Sequence, residues 1–334
     1  MKFLTKQNYF VLIALSVTSV LLLHLYIQQL EVVDMILEIG PPQKSTSMIV
    51  TAYMNLGRGA KHSESSYRQW ISTFMSIETP MVIYTNDIDN IAQLRGNRST
   101  IFVHTTMAIL KQKAKWNNDF LWWQRWRDPE IERHPHPDLY VVWDSKTRLV
   151  YEASEKYNRW DCEYFFWVDI GSFRGKNTSL RKWPDPDRIK QSLEGQDKAL
   201  YAAVAIPLYD MLTYNISVGP FTPTFIEGGF FGGNKKAIDR LFVKYYDLRN
   251  YFQKQGYFVG KDQNVMGALI LLQQEEFLVL NAAFVMCMDP WFFFQQYFAA
   301  PTEVSPVCND SIIPLWDLHS FLGRMNVSWF LEGQ

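Results

Sequence analysis

Short apolar runs alternate with amphipathic helical patterns along most of the chain. Met48–Tyr53 is apolar and rich in residues that favour β-structure, and after it apolar residues recur at helical spacing from Tyr67 to Ile77. Pro80 ends that helical pattern because proline cannot continue a helix, and Met81–Tyr84 is a further apolar run. This order predicts a β-α-β unit.

The same alternation continues towards the C-terminus. Further strands are predicted at 100–104, 163–170, 200–206 and 277–282, with amphipathic helices at about 145–157, 235–254 and 263–273. Strands that alternate with helices favour an α/β sheet covered by helices on both faces.

The N-terminus has a different pattern. Residues 9–27 carry no formal charge, and at about 1.5 Å per residue they are just long enough for a hydrocarbon core of roughly 30 Å. We expect an uncleaved transmembrane anchor. The alternative, a cleaved secretory signal, would have a small-residue cleavage site, whereas Gln28 to Glu31 follows here. Lys2 and Lys6 precede the run, so the positive-inside rule directs the N-terminus to the cytosol.

This topology divides the chain into four parts. We expect a cytosolic tail at 1–8, the anchor at 9–27, an exposed stem at 28–47 and a lumenal domain at 48–334. The chain is then expected to be a single-pass type II membrane protein whose large domain lies outside the cell or in the lumen of the Golgi or endoplasmic reticulum. Sequons for N-glycosylation agree with export; they begin at Asn97, Asn177, Asn215, Asn309 and Asn326.

Composition narrows the function. The 334 residues include 33 basic and 34 acidic side chains, a formal net charge of -1. We therefore expect no nucleic-acid partner held by bulk charge. The three cysteines, Cys162, Cys287 and Cys308, allow at most one intrachain disulfide and match no zinc spacing.

Asp169 is the first candidate for chemistry. It ends the apolar run Phe165–Val168 and precedes Gly171. Ligands bind outside the carboxyl ends of strands in open α/β sheets, so Asp169 is expected to meet a ligand or a divalent metal, Mn²⁺ or Mg²⁺. A turn-forming aspartate is the structural alternative. Arg174 follows closely and could bind a phosphate.

Two further segments carry acidic residues. Glu227 precedes two glycine pairs, Gly228-Gly229 and Gly232-Gly233, which would let a backbone approach a ligand; the helix after Asn234 could face an anion. A simple chain reversal is the alternative. Asp262 opens a helix, where it could serve as the N-cap, as a catalytic group, or as both.

Aromatic residues and histidines leave alternatives open. The clusters 116–126, 165–167 and 291–294 could line a binding cleft or pack in the core; for 165–167 we expect core. His134 and His136 are expected in an exposed loop, and the isolated His319 could be a metal ligand.

These segments, taken in order, resemble the HtrL/YibB family, regarded as glycosyltransferases of GT-A-like character. The resemblance covers roughly residues 48–300. It rests on segments 49–53 with Arg58, Tyr67 and Trp70; 143–146; 166–171 with Arg174; 227–233; and 261–264.

The resemblance implies a GT-A-like (Rossmann-like) mixed sheet and transfer from a nucleotide-sugar donor, UDP- or GDP-linked, to a glycan, glycoprotein or glycolipid. It implies that Arg58, Lys146, Asp169, Arg174, Gly228 and Gly229 bind the donor, and that Asp169 holds the metal. Gly171 stands where the family pattern has a second acid, so either the activity does not depend on a metal or another ligand, such as His319, completes the site. Glu227 and Asp262 are the candidate catalytic carboxylates. The alternative function is a catalytically inactive, membrane-tethered carbohydrate-binding or scaffolding protein with a transferase-like fold.

Overall fold

The computed structural model describes residues 35–55, 64–134, 136–174 and 181–303. The predicted anchor at 9–27 and the candidate residues Arg58 and His319 lie outside these ranges. Within them, no helix is both long and apolar enough to cross a membrane.

One mixed sheet of eight strands organises the described residues, in the order β1-β4-β3-β2-β5-β7-β6-β8. The strands are β1 (Ile36–Ile39), β2 (Ser47–Tyr53), β3 (Met81–Thr85), β4 (Thr100–His104), β5 (Tyr164–Val168), β6 (Ala199–Ala203), β7 (Phe230–Asn234) and β8 (Phe277–Asn281).

Helices pack on both faces of this sheet. The helices within the described ranges are α1 (Glu64–Met75), α2 (Ile88–Arg95), α3 (Met107–Ala114), α4 (Asn118–Arg127), α5 (Asp138–Lys156), α6 (Pro186–Leu193), α7 (Leu208–Thr213), α8 (Lys235–Lys254), α9 (Asp262–Leu272) and α10 (Phe293–Tyr297).

Alternation along the strands builds two separate cores. Met48 and Val50 of β2 belong to the core formed with α3, α5, α8 and α9. Ile49 between them belongs to the opposite core, formed with α1, α2, α6 and α10. Successive strand side chains point to opposite faces, so an all-apolar strand is buried on both. The predicted α/β class, with helices on both faces, is confirmed.

The strand order creates a crevice at the middle of the sheet. From β2 the chain moves outward through β3 and β4, all parallel, and then returns to place β5 parallel to β2 on its other side. The direction of winding therefore changes between β2 and β5. Ligands bind outside the carboxyl ends of the strands at such a switch point.

Two strands were not expected from the sequence. Ile36–Ile39, inside the segment predicted as an exposed stem, pairs with β4 as an edge strand of mostly exposed residues. Phe230–Asn234, interpreted as a glycine-rich turn, is strand β7, antiparallel to β5 and β6. Both strands are antiparallel to their neighbours, which makes the sheet mixed.

Candidate functional site

A cleft of about 1000 Å³ opens at this switch point. Its floor includes Tyr53 at the end of β2 and Asp169 immediately after β5. The volume is at the upper end of the range for small-molecule pockets, about 300–1,000 Å³. Seven of the predicted site residues line it: Lys146, Asp169, Arg174, Glu227, Gly228, Gly229 and Asp262.

Lys146 is the centre of the charged cluster in this cleft. Its ammonium lies 2.7 Å from the Gly228 carbonyl oxygen, 3.1 Å from Asp169 Oδ1 and 3.3 Å from Asp262 Oδ2. Burial alone would lower the pKa of Lys146, but the Asp169 and Asp262 carboxylates outweigh it and raise the pKa. Lys146 therefore stays charged, with only 5% of its side chain exposed.

A second buried ion pair fixes the helix that carries Lys146. Asp144, also on α5, lies 3.0 Å from Arg249 of α8, and both side chains are almost completely buried. Tyr246 donates a hydrogen bond to the Asp144 carbonyl oxygen over 2.6 Å. These contacts hold α5 against α8, so the ammonium is held in place before any ligand binds.

Asp169 is positioned by its neighbours on β5 and in the glycine segment. The Trp167 indole N–H donates to Asp169 Oδ1 over 2.7 Å, and the Asp169 backbone N–H donates to the Gly229 carbonyl oxygen over 2.8 Å. The Ser172 N–H in turn donates to the Asp169 carbonyl oxygen, closing a tight turn. Asp169 thus forms a turn, and its carboxylate, 43% exposed, still faces the cleft.

Asp262 does not have the capping role considered for it. Lys261 is the N-cap residue of α9 and makes no side-chain cap bond, whereas Asp262 begins the helix. Asp262 Oδ1 accepts from the Gln263 N–H, and Oδ2 faces Lys146. Burial, opposed by Lys146, raises the pKa of Asp262.

Glu227 is the most deeply buried acid of the cleft. Only 2% of the residue is exposed, and Oε2 has no hydrogen-bond partner among the described residues. Burial, reinforced by the Asp169 carboxylate, raises the pKa of Glu227 well above its ordinary value, although Lys146 opposes the shift. A carboxyl group in this environment favours its neutral form.

The neutral form of Glu227 predicts a specific dependence of stability on pH. An unfolded glutamate has a pKa of about 4.3. Between that value and the raised folded pKa, the folded state binds more protons than the unfolded state, so the free energy of unfolding falls as pH rises. Glu227→Gln removes this loss. We expect the variant to gain stability over the wild type above about pH 4.3, by at most ~1.4 kcal/mol per pH unit.

Urea unfolding of both proteins between pH 4 and pH 8 measures this difference. Glu132→Gln, at an exposed glutamate, is the control and should stay parallel to the wild type at every pH. A Glu227→Gln curve that is also parallel would show that the carboxyl group titrates normally.

Arg174 forms part of the wall of the cleft. Its guanidinium lies 4.3 Å from the Trp70 ring centroid and 5.1 Å from that of Phe292, and its Nε–H donates to the Gly171 carbonyl oxygen. Arg174 remains exposed. An exposed guanidinium held between two rings is oriented for an anionic ligand.

The two glycine pairs have different roles. Gly228 and Gly229 line the cleft, as expected. Gly232 and Gly233 lie inside β7, and Asn234 at its end pairs with Tyr164 at the start of β5. The helix after Asn234 therefore begins near the amino end of β5, whereas the cleft lies at the carboxyl end of β5. The expectation that the N-terminus of this helix faces an anion in the cleft is wrong.

The side chains around Asp169 are the candidates for holding the predicted metal ion. No group of three or more His, Cys, Asp or Glu side chains within the described ranges could hold one. Lys146 takes the position between Asp169 and Asp262 where a cation would be expected. The described residues do not fit the predicted Mn²⁺ or Mg²⁺ site, and the other predicted ligand, His319, lies outside them.

The remaining expectations have mixed outcomes. Residues 165–167 are core, as predicted, while Trp122 and Trp126 are 52% and 83% exposed and lie away from the cleft lining. His134 is not exposed: its ring is buried with Nδ1 2.5 Å from Asp128 Oδ2. Cys162 is a free buried thiol and Cys287 is disulfide-bonded.

Sequence reasoning missed two residues of the cluster. Trp167 was interpreted as core alone, although residues two apart on a strand share a face with each other, which relates it to Asp169. The other is Ser172, whose hydroxyl oxygen borders the same space beside Gly229 as Asp169 Oδ2 and Glu227 Oε1. No sequence signal distinguishes that serine from an ordinary turn residue.

The fold and the cleft define a mixed α/β protein with a candidate ligand site at the switch point of its sheet. The chain belongs to the HtrL_YibB family, described as "Bacterial protein of unknown function", whose match covers residues 45–279, more than half of the chain. The predicted family membership is confirmed, and the description assigns no activity. No curated protein matches the sequence.

Proposed function

We propose that this protein is a glycosyltransferase that moves a sugar from a nucleotide-sugar donor, UDP- or GDP-linked, to a glycan, glycoprotein or glycolipid. The observation that carries the proposal is the cleft at the switch point, with Asp169 at the carboxyl end of β5 and the buried Lys146 beside it. Nucleotides are typical ligands of this position in open α/β sheets.

The sheet supports a GT-A-like fold as part of the same proposal. Parallel strands β4, β3, β2 and β5 form one half, and the antiparallel β7 joins them to the parallel pair β6 and β8. This mixed arrangement supports the GT-A-like (Rossmann-like) sheet that the family resemblance implies.

The charges in the cleft suit departure of a nucleoside diphosphate. Negative charge develops on the leaving diphosphate, and fixed cations in a cleft that excludes water lower that barrier. Lys146 is held by three oxygen partners, and Arg174 is the exposed cation of the wall. No step of this chemistry is assigned to a metal.

The two candidate carboxylates differ in their suitability as a base. An inverting transferase needs a carboxylate that accepts the acceptor's hydroxyl proton. Burial raises the pKa of both carboxyl groups, but Asp262 is also in an ion pair with the Lys146 ammonium, which opposes the rise. Asp262 is therefore the better base candidate. A retaining mechanism does not need this base.

A turnover screen tests the proposal. The full-length chain is incubated with a panel of UDP- and GDP-sugars, and release of the free nucleotide is measured. We expect one donor to be consumed and Asp169→Asn to reduce its turnover by about 100-fold. Asp161→Asn, at an exposed aspartate paired with Lys44, is the matched control and should turn over like the wild type.

Absence of both turnover and nucleotide binding across the panel would contradict the proposal. Binding without turnover would favour the second candidate, a carbohydrate-binding protein without catalysis. That candidate is motivated by Gly171 in place of a second acid. In the structure, a Cβ built on Gly171 would make ordinary van der Waals contact with Trp70 at 3.5 Å and with Tyr67 at 3.6 Å.

The membrane attachment is a separate part of the proposal. It depends on the uncharged run 9–27, and the type II orientation depends on Lys2 and Lys6. The family description names bacteria and gives no support to a Golgi or endoplasmic reticulum location. That location is supported by the predicted topology and the sequons alone.

A further inference from the structure

One buried oxygen in the cleft lacks a partner within the protein. Glu227 Oε2 makes no hydrogen bond to the described residues, although Glu227 is 2% exposed and lines the cleft. Buried polar atoms are almost always paired, and an unpaired one destabilises the fold. Oε2 itself is enclosed by the protein, whereas Glu227 Oε1 lies beside Gly229 in the cleft lining, so Oε1 is the oxygen that a ligand can meet.

Three side-chain oxygens converge beside Gly229. A methyl group built on Gly229 would lie 3.5 Å from Glu227 Oε1, 3.5 Å from Ser172 Oγ and 3.6 Å from Asp169 Oδ2. The glycine therefore leaves a small space bordered by three side-chain oxygens. A methyl group there would occupy this space in ordinary contact with those oxygens.

The main chain holds these oxygens in place. The Glu227 N–H donates to the Ala202 carbonyl oxygen over 2.9 Å, and the Asp169 N–H donates to that of Gly229 over 2.8 Å. Trp167 fixes the Asp169 carboxylate, and Lys146 holds Gly228 by its carbonyl oxygen. The oxygens form a prearranged group.

The chemistry of the group selects a neutral, hydroxyl-rich ligand. A carboxylate repels phosphate, so this side of the cleft disfavours the diphosphate. Hydroxyl groups donate to the Asp169 carboxylate and both donate to and accept from a carboxyl group or the serine hydroxyl. Sugar rings carry several such groups at adjacent positions.

We propose that Asp169, Ser172 and Glu227, around the space left by Gly229, bind the hydroxyl groups of the donor's sugar ring. This inference rests on the proposed function and gives Glu227 a role in sugar recognition in place of proton abstraction. Arg174, the exposed cation of the cleft wall, is left to the diphosphate.

The affinity difference between a nucleotide sugar and its nucleoside diphosphate isolates this subsite. The probes are UDP-glucose, UDP-galactose, UDP-N-acetylglucosamine and GDP-mannose, each compared with UDP or GDP by calorimetric titration of the full-length chain. We expect the wild type to bind one sugar form at least tenfold more tightly than its diphosphate. Gly229→Ala should lose that advantage and bind the diphosphate within twofold of the wild type.

Two replacements of Glu227 separate hydrogen bonding from charge. Glu227→Gln keeps a neutral group that donates and accepts, so the sugar advantage should stay within about threefold of the wild type. Glu227→Leu has a similar shape without polar atoms and should lose at least tenfold, while its unfolding midpoint rises because the unpaired oxygen is gone. A purely structural Glu227 would not combine a more stable fold with weaker sugar binding.

The possible failures are distinct. Absence of binding by any nucleotide or nucleotide sugar would overturn the proposed function and this inference together. Nucleotide binding with no sugar advantage, or variants that weaken the diphosphate and the sugar form equally, would overturn the subsite and leave the transferase proposal in place.

Discussion

Replacing Lys146 with methionine is expected to destabilise the protein by about 3–5 kcal/mol at neutral pH, the usual cost of removing one partner of a buried charge pair. Methionine preserves the length and apolar stem of the side chain, so the loss comes from the charge. Asp169 and Asp262 would then lack their shared cation, and the Gly228 carbonyl oxygen would lose its donor.

The pH dependence of this deficit identifies its cause. Without Lys146, the folded pKa of Asp262 should rise further above that of an unfolded aspartate, about 3.9, because burial already raises it. The folded state of the variant then binds more protons, so its stability falls as pH rises above about 3.9. We expect a small deficit near pH 4 and the full deficit by pH 7, measured by urea unfolding with tryptophan fluorescence.

Lys236→Met is the matched control. Lys236 pairs with Asp197 at 3.3 Å, but 75% of its side chain is exposed, and such pairs contribute little. Its unfolding curve should overlay the wild type. A Lys146→Met deficit that does not change between pH 4 and pH 7 would show that packing, and not charge, is lost.

In the turnover screen, Lys146→Met should reduce the turnover of the nucleotide sugar by about 100-fold.

Much of the sheet could be predicted because its strands are self-contained in sequence. Thr100–His104 and Met81–Thr85 are buried on both faces, so each is a short apolar run between polar turns. The predicted helix at about 235–254 agrees with the observed bounds of α8, because its apolar residues repeat at helical spacing. These signals are local, and burial of the sheet on both faces makes them strong.

The acids of the site were found because strand and helix ends are visible in sequence. Asp169 follows β5, and Asp262 begins α9. The position of Lys146 was not derivable in the same way. It lies in the middle of α5, and its three oxygen partners come from segments far along the chain. Only the packing of α5 against the sheet brings them together, so its ion pairs are a property of the tertiary structure.

Strand β7 escaped prediction for a related reason. Its sequence, Phe230-Phe231-Gly232-Gly233-Asn234, has two glycines, which weaken a strand considered in isolation. Its conformation is imposed by pairing with β5 and β6 on its two sides. Gly232 is needed because the backbone and a side chain of β5 approach it too closely for any larger residue, and Gly233 is packed tightly, with a built Cβ 3.0 Å from Ala237 Cβ and from the Lys198 carbonyl oxygen.

Gly232→Ala should therefore be the most damaging single methyl group in this segment. The added carbon would lie 2.3 Å from the Phe165 carbonyl oxygen and 2.3 Å from Phe166 Cδ1, both in the adjacent strand β5. Neither can yield without moving a strand whose aromatic side chains are fully buried on both faces. We expect a loss of at least ~3 kcal/mol, at the upper end of overpacking costs, and little folded protein at 37 °C.

Gly229→Ala provides the comparison from the same segment, because its added carbon meets other atoms only at 3.5 Å or more. Its thermal unfolding midpoint should remain near that of the wild type. If Gly232→Ala unfolds at the same temperature as Gly229→Ala, β7 does not pack against β5 as described. The contrast between the two variants also separates the two glycine pairs by function. Gly232 and Gly233 allow β7 to pack against β5, whereas Gly228 and Gly229 leave space in the cleft.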